Sequence, residues 1–145
     1  MTTAQVSSLP AVAMWRIHLL RLLYLLMLTV MGLGVWKYLL FAPDHGSIDR
    51  MTSASLLGGL AVAAALGIRY PLQMLPLLLF ELIWKTVYIL VLYTPAWLAG
   101  EVTPDMHSLF QRCIGIVALY VVMPWGYVWT RYFAQPSEPW RKAKP

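Results

Sequence analysis

The sequence predicts an all-α polytopic membrane protein, a bundle of four transmembrane helices with both termini in the cytoplasm. Of the 145 residues, 60% are hydrophobic and only 12% are charged, about half the roughly 25% of an ordinary soluble domain. The apolar residues gather in runs close to the ~20 residues that a transmembrane helix needs. Basic residues gather at alternate ends of these runs. The length suits one domain, and we expect residues 1–145 to form it.

The apolar runs define the four predicted spans. They cover approximately residues 17–41, 52–68, 72–98 and 108–130. Polar, turn-rich segments at 42–51 and 99–107 separate the first span from the second and the third from the fourth. A short Arg69-Tyr70-Pro71 segment separates the middle two. Because the tail at 131–145 is short, basic and contains proline, we expect it to be irregular.

The distribution of basic residues sets the predicted orientation. Seven of them fall on one side of the spans: Arg16, Arg21, Arg69, Arg131, Arg141, Lys142 and Lys144. Three fall on the other side, namely Lys37, Arg50 and Arg112, while Lys85 falls inside the third span. The positive-inside rule therefore places both termini, the basic tail and the Arg69 turn in the cytoplasm.

A stripe of small residues in the second span predicts close helix packing. Ser55, Gly59, Ala63 and Gly67 recur every four residues. Small side chains let two helix backbones approach closely in a membrane. We expect the stripe to pack inside the four-helix bundle, and the alternative is an interface with a second copy of the chain.

Two prolines in the third and fourth spans predict kinks. Pro76 and Pro124 each remove one intrahelical hydrogen bond, which frees the carbonyls of Leu72 and Tyr120. Neighbouring helices or water must satisfy these carbonyls, because the bilayer core offers no other donor.

Glu81 and Lys85 are the sharpest polar feature of the sequence. Their i,i+4 spacing, with the acid first, favours an ion pair on one helical face, flanked by Trp84 and Tyr88. Ionisable side chains at membrane depth cost several kcal/mol unless they face the protein interior or water. The structural interpretation is a self-neutralising pin that fixes the register of the third span. The functional interpretation is a carboxylate, Glu81, on a proton or ion pathway.

Other polar residues lie near the outer ends of the spans. Lys37 and Arg112 are candidates for contacts with a lipid phosphate or another anion, since long basic side chains reach toward the interface. His45, Asp49, Asp105 and His107 carry side chains that divalent metals accept. They show no recognised ligand spacing, so we predict no metal site and keep these four residues as the alternative.

Several function classes are excluded or disfavoured. Cys113 is the only cysteine, which excludes an internal disulfide and a cysteine-based zinc or iron–sulfur site in one chain. The basic residues are too dispersed for a nucleic-acid surface. We find no phosphate-binding loop, paired catalytic carboxylates or catalytic triad, and therefore predict that the chain is not an enzyme.

Two segments carry a resemblance to a known group of proteins. RYPLQMLPLLLFELIWK, from Arg69 to Lys85, and PWGYVWTRY, from Pro124 to Tyr132, resemble small four-span inner-membrane proteins of bacteria that have no assigned function. The size and layout are also similar to those of DoxX-like proteins. This resemblance implies a multi-pass protein of the bacterial inner membrane and implies no activity, cofactor or catalytic residue.

The functional prediction is a small membrane subunit, or a lipid-binding or partner-binding component, with no cofactor. Its expected partners are membrane lipid, another membrane protein or a second copy of itself. The first alternative is a dimeric proton-linked or ion-linked transporter that uses Glu81. The second is a redox subunit linked to quinone or haem.

Overall fold

The computed structural model describes residues 9–41 and 47–135, and within these ranges it is helical without strands. The helices are α1 (Met14–Phe41), α2 (Ile48–Arg69), α3 (Leu75–Ala99), α4 (Pro104–Val122) and α5 (Trp125–Ala134). A turn at residues 114–115 interrupts α4. The predicted all-α class is confirmed. Three helices, α1 to α3, are each long and apolar enough to cross a membrane, and a fourth crossing exists if α4 and α5 form one span.

Capping side chains explain why two helices begin earlier than predicted. The α2 helix begins at Ile48 because Ser47 Oγ accepts a hydrogen bond from the backbone N–H of Arg50 at 3.4 Å. The α4 helix begins at Pro104 because Thr103 Oγ1 accepts one from the N–H of Met106 at 3.2 Å. Each cap satisfies a donor that the first helical turn otherwise leaves unpaired. Polar residues expected in loops therefore belong to first turns.

The prediction for Pro76 was wrong, and the one for Pro124 is confirmed. Pro76 lies in the first turn of α3. Backbone N–H groups of the first turn have no intrahelical acceptor, so a proline there removes no hydrogen bond. At Pro124 the chain bends by 81° between α4 and α5. The Tyr120 carbonyl there accepts a hydrogen bond from Trp125 Nε1 at 2.9 Å. The tail also differs from the prediction, because residues 131–134 continue α5, whereas residues 136–145 lie outside the described part.

The helices pack as two neighbouring pairs. The α1 helix packs along α2, α3 packs against α4, and α1 also contacts α4. The largest fully buried side chains of the shared core belong to Leu20, Tyr24, Leu75, Leu78 and Met123. Most other large apolar side chains of the described helices face outward, as expected where the surrounding medium is lipid.

Two hydrogen bonds join the helix ends near Arg16, Arg69 and Pro124. Tyr24 Oη donates to the Pro71 carbonyl at 3.1 Å, which ties α1 to the turn before α3. Arg16 Nη1 donates to the Met123 carbonyl at 3.4 Å, which ties α1 to the end of α4. The start of α1, the Arg69 turn and the start of α5 therefore lie at one end of the bundle.

The packing face of α2 differs from the predicted stripe. Ser55 and Gly59 are exposed, Ala63 is half-buried, and only Gly67 of the four is buried. The buried residues of α2 are Ala54, Gly58, Ala61, Ala64 and Gly67. Close helix contact is thus made by small residues of the same helix, but on a neighbouring face.

Candidate functional site

Glu81 is the one buried charged residue that the described part of the chain contains. It lies on the inner face of α3, where its buried neighbours Leu75, Leu78 and Leu82 follow the helical repeat. Glu81 is 3% exposed. A carboxylate in such apolar surroundings is stable only with a counter-charge or a bound proton.

Lys85 supplies the counter-charge from the next turn of the same helix. Its Nζ lies 2.9 Å from Glu81 Oε2, and the Lys85 side chain is 23% exposed. The same ammonium group lies 5.5 Å from the centroid of the Trp84 ring, within the range of a cation–π contact. Glu81 and Lys85 therefore form a direct ion pair, in which Glu81 is buried and the Lys85 side chain is partly exposed.

The second carboxylate oxygen of Glu81 has no partner. Oε1 is buried and makes no hydrogen bond with any described residue. Leaving a buried acceptor unsatisfied costs free energy. Oε1 is therefore able to take up a proton or to accept a hydrogen bond, but no described residue supplies either.

A fully buried cysteine of α4 lies in the same region as this pair, which the sequence did not reveal. Cys113 lies within electrostatic range of both Lys85 and Glu81. It packs with Tyr88 and Tyr93 in a small buried cluster, against which Trp84 also packs. Its position beside the ion pair depends on how α3 and α4 pair, and no local pattern encodes that pairing.

Tyr88 links the polar region of α3 to the first part of α4. Its hydroxyl donates to the Met106 carbonyl at 2.8 Å. Two residues earlier on α3, the Thr86 hydroxyl lies 2.9 Å from the hydroxyl of Tyr120 on α4. These bonds fix the register of the two helices around the ion pair. A π-helical turn from Tyr88 to Tyr93 follows directly.

We expect Tyr88→Phe to lower the free energy of unfolding by about 0.5–1.5 kcal/mol, the usual net value of one hydrogen bond. The ring stays, so the packing of the cluster is preserved. Tyr70→Phe is the matched control, because Tyr70 is exposed and its ring lies beside the guanidinium of Arg69. Thermal unfolding in detergent, followed by circular dichroism, measures both. Equal midpoints for the two variants would contradict the role given to the Tyr88 hydroxyl.

The two basic residues predicted near the outer ends are exposed. Lys37 on α1 and Arg112 on α4 both point away from the bundle core. Neither is paired with a carboxylate of the described chain. The neighbouring Gln111 is also exposed, and its amide lies 3.3 Å from Nε2 of His107. The first half of α4 therefore presents polar groups outward.

The alternative of a metal site receives no support within the described ranges. No group of three or more His, Cys, Asp or Glu side chains is close enough there to hold a metal ion. His107 uses its Nδ1 toward Tyr93 Oη at 3.1 Å. Asp49 and Asp105 lie in the first turns of α2 and α4, where a negative charge favours the helix N-terminus. His45 lies outside the described residues.

Arg16 of α1 contacts the bend at Pro124, a role that the sequence did not indicate. Arg16 contributes to the predicted orientation only as a positive charge. In the structure it also donates to the last carbonyl before Pro124, a favourable position because the C-terminal end of a helix is partly negative. No spacing rule links residues this far apart in the chain.

The resemblance to small four-span bacterial proteins and to DoxX-like proteins stays a prediction. Comparison of the chain with protein-family models, with curated proteins and with solved structures gave no match.

Proposed function

We propose that the chain is a multi-pass component of the bacterial inner membrane that binds an anionic group of a lipid or of another membrane protein. In this proposal it crosses the bilayer four times as one bundle, with both termini in the cytoplasm, and it has no catalytic activity. The observation that carries the proposal is the exposed Arg112. It is a cation on an apolar helix pair that could form a span, and it has no counter-charge in the described chain.

The position of Arg112 along α4 favours an external partner. Arg112 lies about 12 Å along α4 from its first residue, at ~1.5 Å per residue. Charged side chains at such a depth pair with other groups or extend to the interface. Since no described acid is bonded to it, a lipid phosphate or the carboxylate of a neighbouring protein is the fitting counter-charge. Exposed Gln111 beside it offers a second hydrogen-bonding group to the same ligand.

Lys37 supports the same interpretation from another helix. It is exposed near the end of α1, on the side of the bundle that the positive-inside rule assigns to the outer leaflet. A binding component needs such outward-facing cations, whereas a chain surrounded only by acyl tails does not.

The closed Glu81–Lys85 pair fits this function as an interior pin. Its two charges neutralise each other within α3, and Trp84 and Tyr88 connect that helix to the Cys113 cluster of α4. The pair then stabilises the part of α3 whose Thr86 and Tyr88 hydroxyls are hydrogen-bonded to α4.

Native mass spectrometry of detergent-extracted protein tests the proposal. We expect the wild-type chain to retain an anionic phospholipid or a protein partner, and Arg112→Gln to lose most of it. Arg112→Lys is the matched control, because it keeps the charge and should keep most of the bound species. Equal retention by wild type and Arg112→Gln would overturn the proposal.

A second candidate function, a proton-linked transporter, is favoured by one specific observation. Glu81 Oε1 is buried without a partner, which is the state expected of a carboxylate that exchanges a proton. Dicyclohexylcarbodiimide attacks protonated carboxyls in apolar surroundings. This candidate predicts a mass increase at Glu81 that falls as the pH of labelling rises, and proton flux into liposomes under an imposed potassium diffusion potential. Glu81→Gln should abolish both, and wild-type flux equal to that of empty liposomes would exclude this candidate.

A further inference from the structure

The α5 helix points in a direction different from the one in which α4 would cross a membrane. The α4 helix covers about 19 residues, or roughly 28 Å, which by itself approaches the ~30 Å thickness of the hydrocarbon core. The α5 helix then turns by 81° from the axis of α4. If α4 lies along the membrane normal, α5 lies close to the membrane plane.

The bend is held by contacts on both sides of Pro124. The Met123 carbonyl accepts hydrogen bonds from Arg16 Nη1 at 3.4 Å and from the N–H of Trp125 at 2.9 Å. The Met123 side chain is fully buried in the core. The indole of Trp125 is bonded to the Tyr120 carbonyl. Because these contacts need the bent geometry, the direction of α5 is a fixed property of the fold.

One face of α5 carries an aromatic stripe, composed of Trp125, Trp129 and Phe133. These residues recur every four positions and are 43%, 65% and 69% exposed. The rings of Trp129 and Phe133 stack with centroids 5.1 Å apart, so they share one side of the helix. Val128, by contrast, is buried against the bundle core. Exposed aromatic rings of this kind concentrate at the membrane–water interface.

The charge at this end of the bundle is positive. Arg16, Arg21, Arg69 and Arg131 all lie near it. Among the described acids, Glu81 is interior, Asp49 and Asp105 lie in the first turns of α2 and α4, and Glu101 lies in the segment between α3 and α4. Such a surface complements a leaflet that contains anionic lipid.

We propose that α5 is an interfacial helix that lies in the headgroup region of an anionic leaflet, with the aromatic stripe inserted toward the acyl chains. This inference rests on the proposed four membrane crossings, and it assigns the fourth crossing to α4 alone instead of to the bent pair of α4 and α5. It separates the fourth crossing from α5, which then acts as a lipid-binding anchor at the cytoplasmic surface.

The test measures the membrane depth of single labels in the full chain. In a Cys113→Ala background, a cysteine is introduced at position 126, 129 or 133, three exposed positions of α5, and labelled with an environment-sensitive fluorophore. The proteins are reconstituted in vesicles of phosphatidylcholine and phosphatidylglycerol, and depth is read from quenching by spin-labelled lipids. Labels at Val117 and Val121, two exposed residues of α4, are the matched control within a crossing helix.

We expect the three α5 labels to share one interfacial depth, while the two α4 labels differ by about 6 Å. Spin-labelled phosphatidylglycerol should quench the α5 labels more strongly than spin-labelled phosphatidylcholine. A depth change of about 10 Å between positions 126 and 133, the value for a helix along the normal, would overturn the inference. Labels of α5 in water, or equal quenching by the two lipids, would overturn it as well. If the α4 labels lie in water, the four-span proposal itself fails.

Discussion

Lys85→Met is expected to produce the largest loss of stability of any single substitution considered. It removes the only described hydrogen-bonding partner of Glu81 and leaves a carboxylate that is 3% exposed without a counter-charge. Breaking a buried pair from one side costs about 3–5 kcal/mol. Because the Lys85 side chain keeps 23% of its surface exposed, we expect a value toward the lower end of that range.

The double variant shows whether Lys85→Met lowers stability by breaking the ion pair or by the loss of the lysine side chain itself. Glu81→Gln combined with Lys85→Met removes both charges, so it should recover a large part of the loss, which appears as a coupling energy in a double-mutant cycle. Lys37→Met is the control, since Lys37 is an exposed lysine on α1 and should change stability by no more than about 0.5 kcal/mol. Thermal midpoints in detergent are measured for wild type, Glu81→Gln, Lys85→Met, the double variant and Lys37→Met. A Lys85→Met protein as stable as wild type would show that Glu81 does not need its partner.

The ion pair was predictable because both residues belong to one helix. An i,i+4 spacing fixes their distance once the helix forms, whatever the rest of the chain does. The bend at Pro124 was predictable for the same reason, since proline acts on its own helix. Pro76 behaved differently because Pro71 and the following turn delay the start of α3 until Leu75. The effect of a proline therefore depends on a helix boundary, and boundaries depend on caps and turns.

Features that depend on two helices were not predictable from the sequence. The position of Cys113 beside Lys85 and the bond from Arg16 to Met123 both depend on which helices become neighbours. The small-residue stripe failed for a geometric reason. Steps of four residues drift by about 40° each around a helix of 3.6 residues per turn, so Ser55 and Gly67 cannot share one narrow face. The observed face from Ala54 to Gly67 mixes steps of three and four residues.

Gly67→Ala is expected to lower stability by about 1–3 kcal/mol, the usual cost of forcing extra volume into a close-packed interior. A methyl group at this position would overlap the ring of Tyr24. That ring has little freedom to move, because Tyr24 is fully buried and its hydroxyl is bonded to the Pro71 carbonyl. The contact between α1 and α2 must therefore open slightly, or the hydrogen bond must break.

Gly59→Ala is the matched control in the same helix, because no atom lies within 4 Å of the added methyl group. Alanine favours a helix over glycine by up to ~1 kcal/mol, so this variant should be as stable as wild type or more stable. The opposite signs expected for two identical substitutions isolate the steric effect from helix propensity. If Gly59→Ala destabilised the protein as much as Gly67→Ala, the face that carries Gly59 would be in contact with something, and a second copy of the chain packed on that face would explain the loss.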